Sequence, residues 1–375
     1  MTDKTQDLIL GVLGGPWVGL KYPGVEAYLT STQRSGFSGR KVMIVWSIQP
    51  VVRQKLKEYG FELVERNSLH SGYDGDVHRG NFFHDRMHVC RDYMRDHWKE
   101  FRYVFFLDVK DLILQSDPSV WMENNLGENC LVASNECVNI SQEETNKLWA
   151  QDILGESKYQ EIKDCEVING GTWAGISEAM AEVFHQVHTG CQTYKGTHPP
   201  CQIWINYVLH TVFKKDLYIP RWSEGFAACL HPCWSPWRVP CWPNLKDVHP
   251  VLQLDTCTLY AGTVPDPKNQ MIVFNPHWGT TQKVQFASPS DPLKGVECVE
   301  KPKGKPFAIV HGADRDWDVK SLFDFRYRFD GKFDLKEYML RNEALPAPRR
   351  ALRRANEGTI SGSELPQSRR FSRRH

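Results

Sequence analysis

The chain has 375 residues, a formal net charge of +1 and a hydrophobic fraction of 41%. This length suits one large α/β domain or two ordinary ones, and the apolar content excludes a chain that is disordered throughout. The balanced charge gives no global argument for nucleic-acid binding. The 11 cysteines are an odd number without small-scaffold spacing, so we expect reduced thiols.

The start of the chain, MTDKTQD, has two acids and one Lys, and the apolar run after it is shorter than that of a secretory signal. No run approaches the roughly 20 apolar residues of a spanning helix, so we expect no transmembrane segment. Together these features predict a cytoplasmic protein.

Strands and helices are predicted to alternate over the first part of the chain. Apolar runs and helical spacing give the order strand, helix, strand, helix, strand at residues 8–13, 25–32, 41–46, 52–59 and 61–64. A polar loop at 65–80, a helix at 83–94 and a strongly apolar strand at 103–107 follow. This alternation predicts an α/β fold with a mostly parallel sheet flanked by helices.

The second half is less regular. Helices are predicted at 177–189, with Gly190 as the stop, and at 202–213, and a late strand at 307–310 ends at His311. An aromatic, proline-rich and cysteine-rich loop covers 222–242. Residues 345–375 are rich in Arg and poor in apolar residues, so we expect a disordered basic tail after a domain at 1–344.

Two aspartates directly follow the strand at 103–107. Asp108 and Asp111 are three apart, and ligands bind beyond the carboxyl ends of strands in open α/β sheets. If the chain turns helically there, both carboxylates can face one Mg²⁺ or Mn²⁺, which in turn bridges phosphate oxygens. The alternative is a capped turn, because Asp often accepts backbone N–H bonds at helix starts.

Three other segments have both a functional and a structural interpretation. The run Asn169-Gly170-Gly171 allows close backbone approach to a ligand, or forms a tight turn between strands. His311 is a metal ligand or a hydrogen-bonded structural residue. Arg315 contacts a diphosphate or pairs with a neighbouring aspartate.

Basic, cysteine and tryptophan residues add further candidates. Arg86 and Arg91 lie five apart on one predicted helix, and Arg86 is the better phosphate ligand because it is nearer the helix start; the alternative is a solvated face. A zinc group could be built from Cys229, His231, Cys233 and Cys241, but the spacing does not match a finger or ribbon. The aromatic faces of the interleaved tryptophans either stack on the C–H faces of a ligand such as a sugar or pack in the core: Trp234, Trp237 and Trp242.

The order of elements resembles the GT-A fold of nucleotide-sugar glycosyltransferases. An Asp-x-Asp motif after a buried strand holds the metal and diphosphate in that fold, and here Lys110 stands where the second Asp is usual. The segment DVKDLILQSDP is similar to a variant, Asp-x-(Arg/Lys)-Asp, found in viral, algal and bacterial glycosyltransferases that include chlorovirus rhamnosyltransferase-like domains. Four more segments fit in the same order over about residues 8–316: LILGVLGG with SGFSGRKVMIV, HDRMHVCRDYM, NGGTWAG and VHGADRD.

One departure from the family concerns Cys201-Gln202, where related enzymes often have Asp-Gln. In some relatives that Asp helps to hold the transferred sugar. A thiol cannot replace a carboxylate near pH 7 unless its pKa is depressed, so the contact could come from Asp164 or Glu166, or the enzyme could be inactive.

The resemblance implies a metal-dependent glycosyltransferase that moves a hexosyl or deoxyhexosyl group from a nucleotide-diphosphosugar, with UDP and retention favoured, to a glycan or other hydroxyl acceptor. Residues 8–135 would bind the nucleotide-sugar and 136–330 the acceptor. Mn²⁺ or Mg²⁺ would be held by Asp108, Asp111 and His311. The implied donor-binding residues are Gly14, Trp17, Arg86, Lys110, Gly170, Gly171 and Arg315, and the implied catalytic residues are Asp108, Asp111, Asn169 and Gln202.

Two other function classes stay open. The first is a sugar or nucleotide-sugar binding module on an inactive transferase scaffold. The second is a nucleic-acid-associated protein acting through its Arg-rich tail, which predicts salt-dependent binding; we expect no specific nucleic-acid partner. The oligomeric state is not predicted.

Overall fold

The computed structural model describes residues 6–15, 18–20, 25–66, 79–196, 201–220, 224–229, 263–266, 270–275, 280–285, 307–312 and 327. For 79–84, 137 and the segments between 263 and 285, only the backbone is described. These residues belong to the first of two units, Met1–Phe333, and the second unit, Asp334–His375, lies outside the described residues. The predicted tail at 345–375 therefore also lies outside them, and the predicted domain boundaries stay predictions.

Thirteen strands lie in the described part of the chain. They are β1 (Gln6–Gly14), β2 (Arg40–Trp46), β3 (Glu62–Glu65), β4 (Phe101–Leu107), β5 (Leu112–Leu114), β6 (Leu131–Asn139), β7 (Glu166–Ile176), β8 (Leu217–Tyr218), β9 (Ala227–Cys229), β10 (Thr263–Asp266), β11 (Gln270–Asn275), β12 (Thr280–Gln285) and β13 (Ile309–His311). The α-helices there are α1 (Glu26–Arg34), α2 (Pro50–Glu58), α3 (Arg79–His97), α4 (Pro118–Asn125), α5 (Glu144–Leu154), α6 (Glu156–Ile162), α7 (Ser177–Thr193) and α8 (Cys201–Thr211).

The central sheet has seven strands in the order β3-β2-β1-β4-β7-β6-β8. All neighbours pair in parallel except β4 with β7 and β7 with β6, so six strands run in one direction and β7 runs against them. The predicted mostly parallel α/β fold is thus confirmed. Two smaller sheets have three strands each, in the orders β5-β13-β9 and β10-β11-β12.

Helices cover both faces of the central sheet, which explains why β1 has no polar side chain from Leu8 onward. Alternate side chains point to opposite faces: Leu8 and Leu10 pack with Met87 of α3 in one core, whereas Ile9 packs with Leu29 of α1 in the other. The two cores hold the carboxyl ends of β1 and β4 at a common edge, where the acidic motif begins.

The predicted strands and helices of the first half agree with the structure to within a few residues. Most of the predicted loop at 65–80 lies outside the described residues. Two interpretations in the second half are wrong. Gly190 does not stop α7, because the helix continues to Thr193. A methyl group on Gly190 would overlap the indole of Trp204. The glycine is therefore explained by the close packing of α8 on α7. The predicted loop at 222–242 is described only at 224–229, where it contains a strand, β9, which pairs with the distant β13.

The alternative of a tight turn at Asn169-Gly170-Gly171 is also wrong. These residues lie inside the eleven-residue strand β7, and all three are buried. None of the described helices is long and apolar enough to cross a membrane.

Helix α8 is fastened to β7 by Asn206, whose side chain is fully buried. Its Oδ1 accepts from the amide of Ile168 at 2.7 Å, and its Nδ2 donates to the carbonyl of Ile168 at 2.9 Å and to that of Gln202 at 2.8 Å. The side chain therefore satisfies both backbone polar groups of Ile168, one residue before Asn169.

We predict that Asn206→Ala lowers the free energy of unfolding by about 2–6 kcal/mol, because two buried backbone groups lose their partners at about 1–3 kcal/mol each. Urea unfolding followed by circular dichroism measures the change. The control is Val212→Ala, at a position that is 56% exposed, where we expect a change within about 0.5 kcal/mol. Equal stabilities of the two variants would contradict the role of Asn206.

Candidate metal centre and its surroundings

The acidic motif begins where β4 ends. The backbone amide of Asp108 donates to the carbonyl of Gly171 at 2.8 Å, which continues the β4–β7 pairing by one bond. The chain then turns through Lys110 to Asp111, directly before β5. The side chains of Asp108 and Asp111 are 31% and 18% exposed, so both carboxylates are reachable from solvent.

His311 reaches the same place from the other end of the described chain. Strand β13 lies between β5 and β9, and His311 is the register partner of Leu112, the residue after Asp111. Its Nε2 lies 3.6 Å from Asp108 Oδ2 and 3.4 Å from Asp111 Oδ1. One ligand atom from each of the three residues lies within 4.8 Å of the others, so the structure brings together the three ligands that the resemblance implies.

The imidazole of His311 is held by its second nitrogen. Nδ1 lies 2.9 Å from Oγ1 of Thr172, a fully buried residue of β7, and this bond leaves Nε2 facing the carboxylates. The backbone of Thr172 is itself held, because Ser134 Oγ donates to its carbonyl at 2.8 Å. A hydrogen-bonded second nitrogen is the usual arrangement for histidines that bind metals.

The electrostatics around His311 favour a positive charge between the carboxylates. Burial alone would lower the pKa of the imidazole, but Asp111 and Asp108 outweigh it and raise the pKa of His311 well above its ordinary value. A bound cation would take the place of that proton, since metal ligands must be deprotonated.

Gly171 is the backbone position nearest to this cluster. A β-carbon built there would overlap the carboxyl group of Asp108 and lie 2.7 Å from Cε1 of His311. No side chain fits between the strand and the two candidate ligands, so the second glycine of the Asn-Gly-Gly run is explained by close packing. Gly170 is less constrained, with Gln202 Oε1 at 3.2 Å from the corresponding position.

Arg86 lies beneath the cluster rather than at its solvent side. It is only 4% exposed and donates from Nη1 to Asp108 Oδ1 at 2.7 Å, while Nη2 reaches the carbonyl of Gly170 at 3.0 Å and Cys201 Sγ at 3.3 Å. The guanidinium therefore occupies one carboxylate oxygen of Asp108 and leaves the other facing His311. Arg91 is paired elsewhere, with Asp92 at 2.6 Å.

The thiol of Cys201 is buried beside Arg86. Burial raises the pKa of its thiol, and the nearby Arg86 only partly offsets this effect. The group is therefore a neutral thiol at pH 7. Asp164 and Glu166 are both exposed, and Glu166 accepts from Asn135 Nδ2 at 2.8 Å.

The predicted catalytic amides are both held by neighbours. Asn169 donates from Nδ2 to Glu136 Oε1 at 3.0 Å and accepts at Oδ1 from the amide of Gly171 at 2.8 Å. Gln202 donates to Asn146 Oδ1 at 3.0 Å. Both residues thus lie beside the Gly170–Gly171 backbone.

The other predicted donor-site residues are placed as follows. Gly14 ends β1 against the ring of Trp46, and Lys110 is exposed between the two aspartates. Trp17 and Arg315 lie outside the described residues.

Of the suggested zinc group only Cys229 is described, and its thiol donates to Ser134 Oγ at 3.1 Å. The three tryptophans also lie outside the described residues.

Two buried residues of the site were not predicted from the sequence. Thr172 follows the two glycines directly, so its place in the motif was a usable signal. Glu136 had no such signal. It lies on β6, a strand that was not predicted, and no sequence motif is close to it along the chain.

The three candidate ligands fit a divalent cation. Two carboxylate oxygens and one imidazole nitrogen are donors accepted by Mn²⁺, and oxygen-rich sites also suit Mg²⁺. Such a cation retains free coordination positions, which phosphate oxygens can fill. The partial exposure of both aspartates leaves a side from which they could approach.

Comparison with known proteins gives limited help. No family model and no curated protein matches the chain. Among solved structures it is similar to the galactosyltransferase LgtC in complex with donor and acceptor sugar analogs (16% identity, TM-score 0.39, 60% of this chain and 76% of that chain). An active-site mutant of LgtC gives 17% identity and the same TM-score and coverage. Apo mouse xyloside xylosyltransferase 1 gives 13% identity and a TM-score of 0.39 over 61% of this chain and 89% of that chain. Likenesses at this level carry no conclusion about this chain.

We predict that Asp111→Asn weakens Mn²⁺ binding by about 100-fold or more, since losing residues that merely orient a ligand already costs about 10- to 100-fold. Asp111 is a cleaner test than Asp108, which also neutralises the buried Arg86. Calorimetry with Mn²⁺ alone measures the affinity. In the control Lys110→Ala, an exposed neighbouring charge is removed, and we expect a change of about fivefold or less. Unchanged affinity in the Asn variant would refute the assignment.

We also predict that Thr172→Val, which keeps the shape but removes the hydroxyl at His311 Nδ1, weakens Mn²⁺ binding by about tenfold. The matched control is Thr32→Val on α1, where a similarly buried hydroxyl donates to the carbonyl of Tyr28 at 2.7 Å. The control should lose stability but keep the affinity of the unaltered protein. The same Mn²⁺ affinity in both variants would show that Thr172 does not orient the imidazole.

Proposed function

We propose that the chain is a metal-dependent glycosyltransferase that uses a nucleotide-diphosphosugar donor and a hydroxyl acceptor. The observation that carries the proposal is the convergence of Asp108, Asp111 and His311, with ligand atoms within 4.8 Å, at the carboxyl end of a central strand. The sequence places His311 about two hundred residues from the aspartates, so their meeting is not a result of local sequence. The motif resemblance to GT-A enzymes adds the reaction class.

A cation held there would supply positive charge for the departing nucleotide diphosphate. Asp108, Asp111 and His311 would hold it, and Arg86 would fix the direction of the Asp108 carboxylate. Lys110 is exposed at the same turn, where an ammonium group can face phosphate. Gly14 and Trp17, after the first strand, would lie near the base, and Arg315 would contact the diphosphate. We favour a UDP-sugar and Mn²⁺, because imidazole nitrogen is a softer donor than oxygen.

Asn169, Gly170 and Gln202 would line the transferred sugar. Retention of configuration is favoured, because Glu136, the acid beside Asn169, is 1% exposed and bonded to that amide instead of facing a substrate. The transferred group would be a hexosyl or deoxyhexosyl group. The acceptor would bind to the second half of the chain.

The alternative is a nucleotide-sugar binding module on the same scaffold. The observation in its favour is the neutral thiol of Cys201 beside Arg86, which offers a sugar no carboxylate. Both functions require donor binding, and only the first requires turnover.

The deciding experiment is a screen of UDP-, GDP- and dTDP-sugars with Mn²⁺, in which released nucleotide and donor affinity are measured in parallel. We expect slow donor hydrolysis with at least one sugar, which is abolished by chelation of the metal and by Asp111→Asn. Metal-dependent binding without release of nucleotide would establish the binding module instead. Absence of any metal-dependent donor binding would overturn both.

A further inference from the structure

Glu136 is a buried acid that the chemistry proposed above does not use. It lies on β6 and is 1% exposed, and a carboxylate removed from water is costly unless it is paired or hydrogen-bonded. The pairing of β6 with β7 changes register between Ala133 and Asn135 and again between Asn135 and Asn139. Glu136 lies in this irregular stretch, and such irregularities often redirect a side chain beside a functional site.

The carboxylate of Glu136 determines which way the amide of Asn169 points. Its Oε1 accepts from Asn169 Nδ2 at 3.0 Å. A carboxyl oxygen without a proton can only accept a hydrogen bond, so in this arrangement the NH₂ end of Asn169 faces Glu136. The oxygen end is thereby directed to the amide of Gly171, from which it accepts at 2.8 Å.

Gly171 in turn contacts the candidate metal centre on two sides. Its carbonyl accepts from the amide of Asp108 at 2.8 Å, and its α-carbon faces the Asp108 carboxyl group and the His311 ring. The hydrogen bonds therefore form an unbroken chain from Glu136 through Asn169 and Gly171 to Asp108. A shift of Gly171 toward the cluster would cause overlap, and a shift away would draw Asp108 with it.

We propose that Glu136 is a positioning residue, which fixes the orientation of Asn169 and through it the place of Gly171 against Asp108 and His311. Its effect on cation affinity follows from the geometry of the candidate centre alone. Its effect on the sugar side of Asn169 rests on the proposed function. Measuring the two separately keeps the failure of one distinct from the failure of the other.

The test exchanges the donor and acceptor of the Glu136–Asn169 pair. Asn169→Asp places two carboxylates at hydrogen-bond distance, and we expect Mn²⁺ affinity to fall by about 10- to 100-fold, as for other residues that orient a ligand. Glu136→Gln alone can still accept with its amide oxygen, so we expect a smaller loss. In the double variant Glu136→Gln/Asn169→Asp, the amide introduced on β6 can donate to the carboxylate introduced on β7. That carboxylate can also accept from the amide of Gly171. Both hydrogen bonds are thus restored, and we expect Mn²⁺ affinity within about twofold of that of the unaltered protein.

A matched pair in the same protein serves as the control. Glu143 is 2% exposed and accepts from Asn146 Nδ2 at 2.9 Å, but Asn146 leads to Gln202 and not to Gly171. Asn146→Asp should therefore lower stability in urea while Mn²⁺ affinity stays unchanged. If Asn169→Asp does not fold, Asn169→Ser takes its place, since the shorter hydroxyl cannot span Glu136 and Gly171 together.

Rescue by the double variant, measured with Mn²⁺ alone, supports the proposal even if no sugar donor is ever turned over. Additive losses in the double variant, or full Mn²⁺ affinity in folded Asn169→Asp or Asn169→Ser, would overturn it. Where a donor is turned over, nucleotide release should follow the same order of variants. Rescue of metal affinity without rescue of release would confine the role of Glu136 to the metal centre.

Discussion

The backbone of β7 approaches the acidic motif so closely at Gly171 that only a glycine fits. This contact fixes the distance between the end of β4 and the strand that runs against it, and the Asp108 amide bond to the Gly171 carbonyl sets their register. Asn169, Thr172 and Trp173 take their positions from the same strand. Because β7 is buried along nearly its whole length, the candidate site is built on a rigid element, which is how geometry at such sites is usually maintained.

The charges around Asp108 are distributed between two layers. Arg86 neutralises it from the buried side at 2.7 Å, whereas His311 and Asp111 face it from the more open side. A buried guanidinium without this partner would be strongly destabilising. Asp108 therefore stabilises the fold as well as forming part of the cluster, and the two roles cannot be separated by a single substitution. The neutral Cys201 completes the surroundings of Arg86 without adding a second negative charge.

Much of the fold could be predicted from the sequence, because the strands of the central sheet are buried on both faces and read as continuous apolar runs. The short strands β5, β8, β9 and β13 depend on pairing with distant segments, so local sequence does not reveal all of them. Gly190 was misread since a glycine required by packing against Trp204 looks the same in sequence as one that ends a helix. The grouping of Asp108, Asp111 and His311 was predictable from motifs, but Glu136 was not, because its partner Asn169 is reached only through the pairing of β6 and β7.

The small sheet that carries His311 is built from much shorter strands than the central sheet. Strands β5, β13 and β9 are three residues long each, whereas β1 and β7 have nine and eleven residues. All three short strands are buried, but each has fewer backbone hydrogen bonds to lose on separation than β1 or β7. Detachment of β13 would remove His311 and leave only the carboxylates of Asp108 and Asp111, which would hold a cation more weakly. A cation that binds all three ligands more tightly than two would favour the arrangement in which β13 is paired. Occupancy of the cation site would thus be coupled to the pairing of β13, which is distant in sequence from the aspartates.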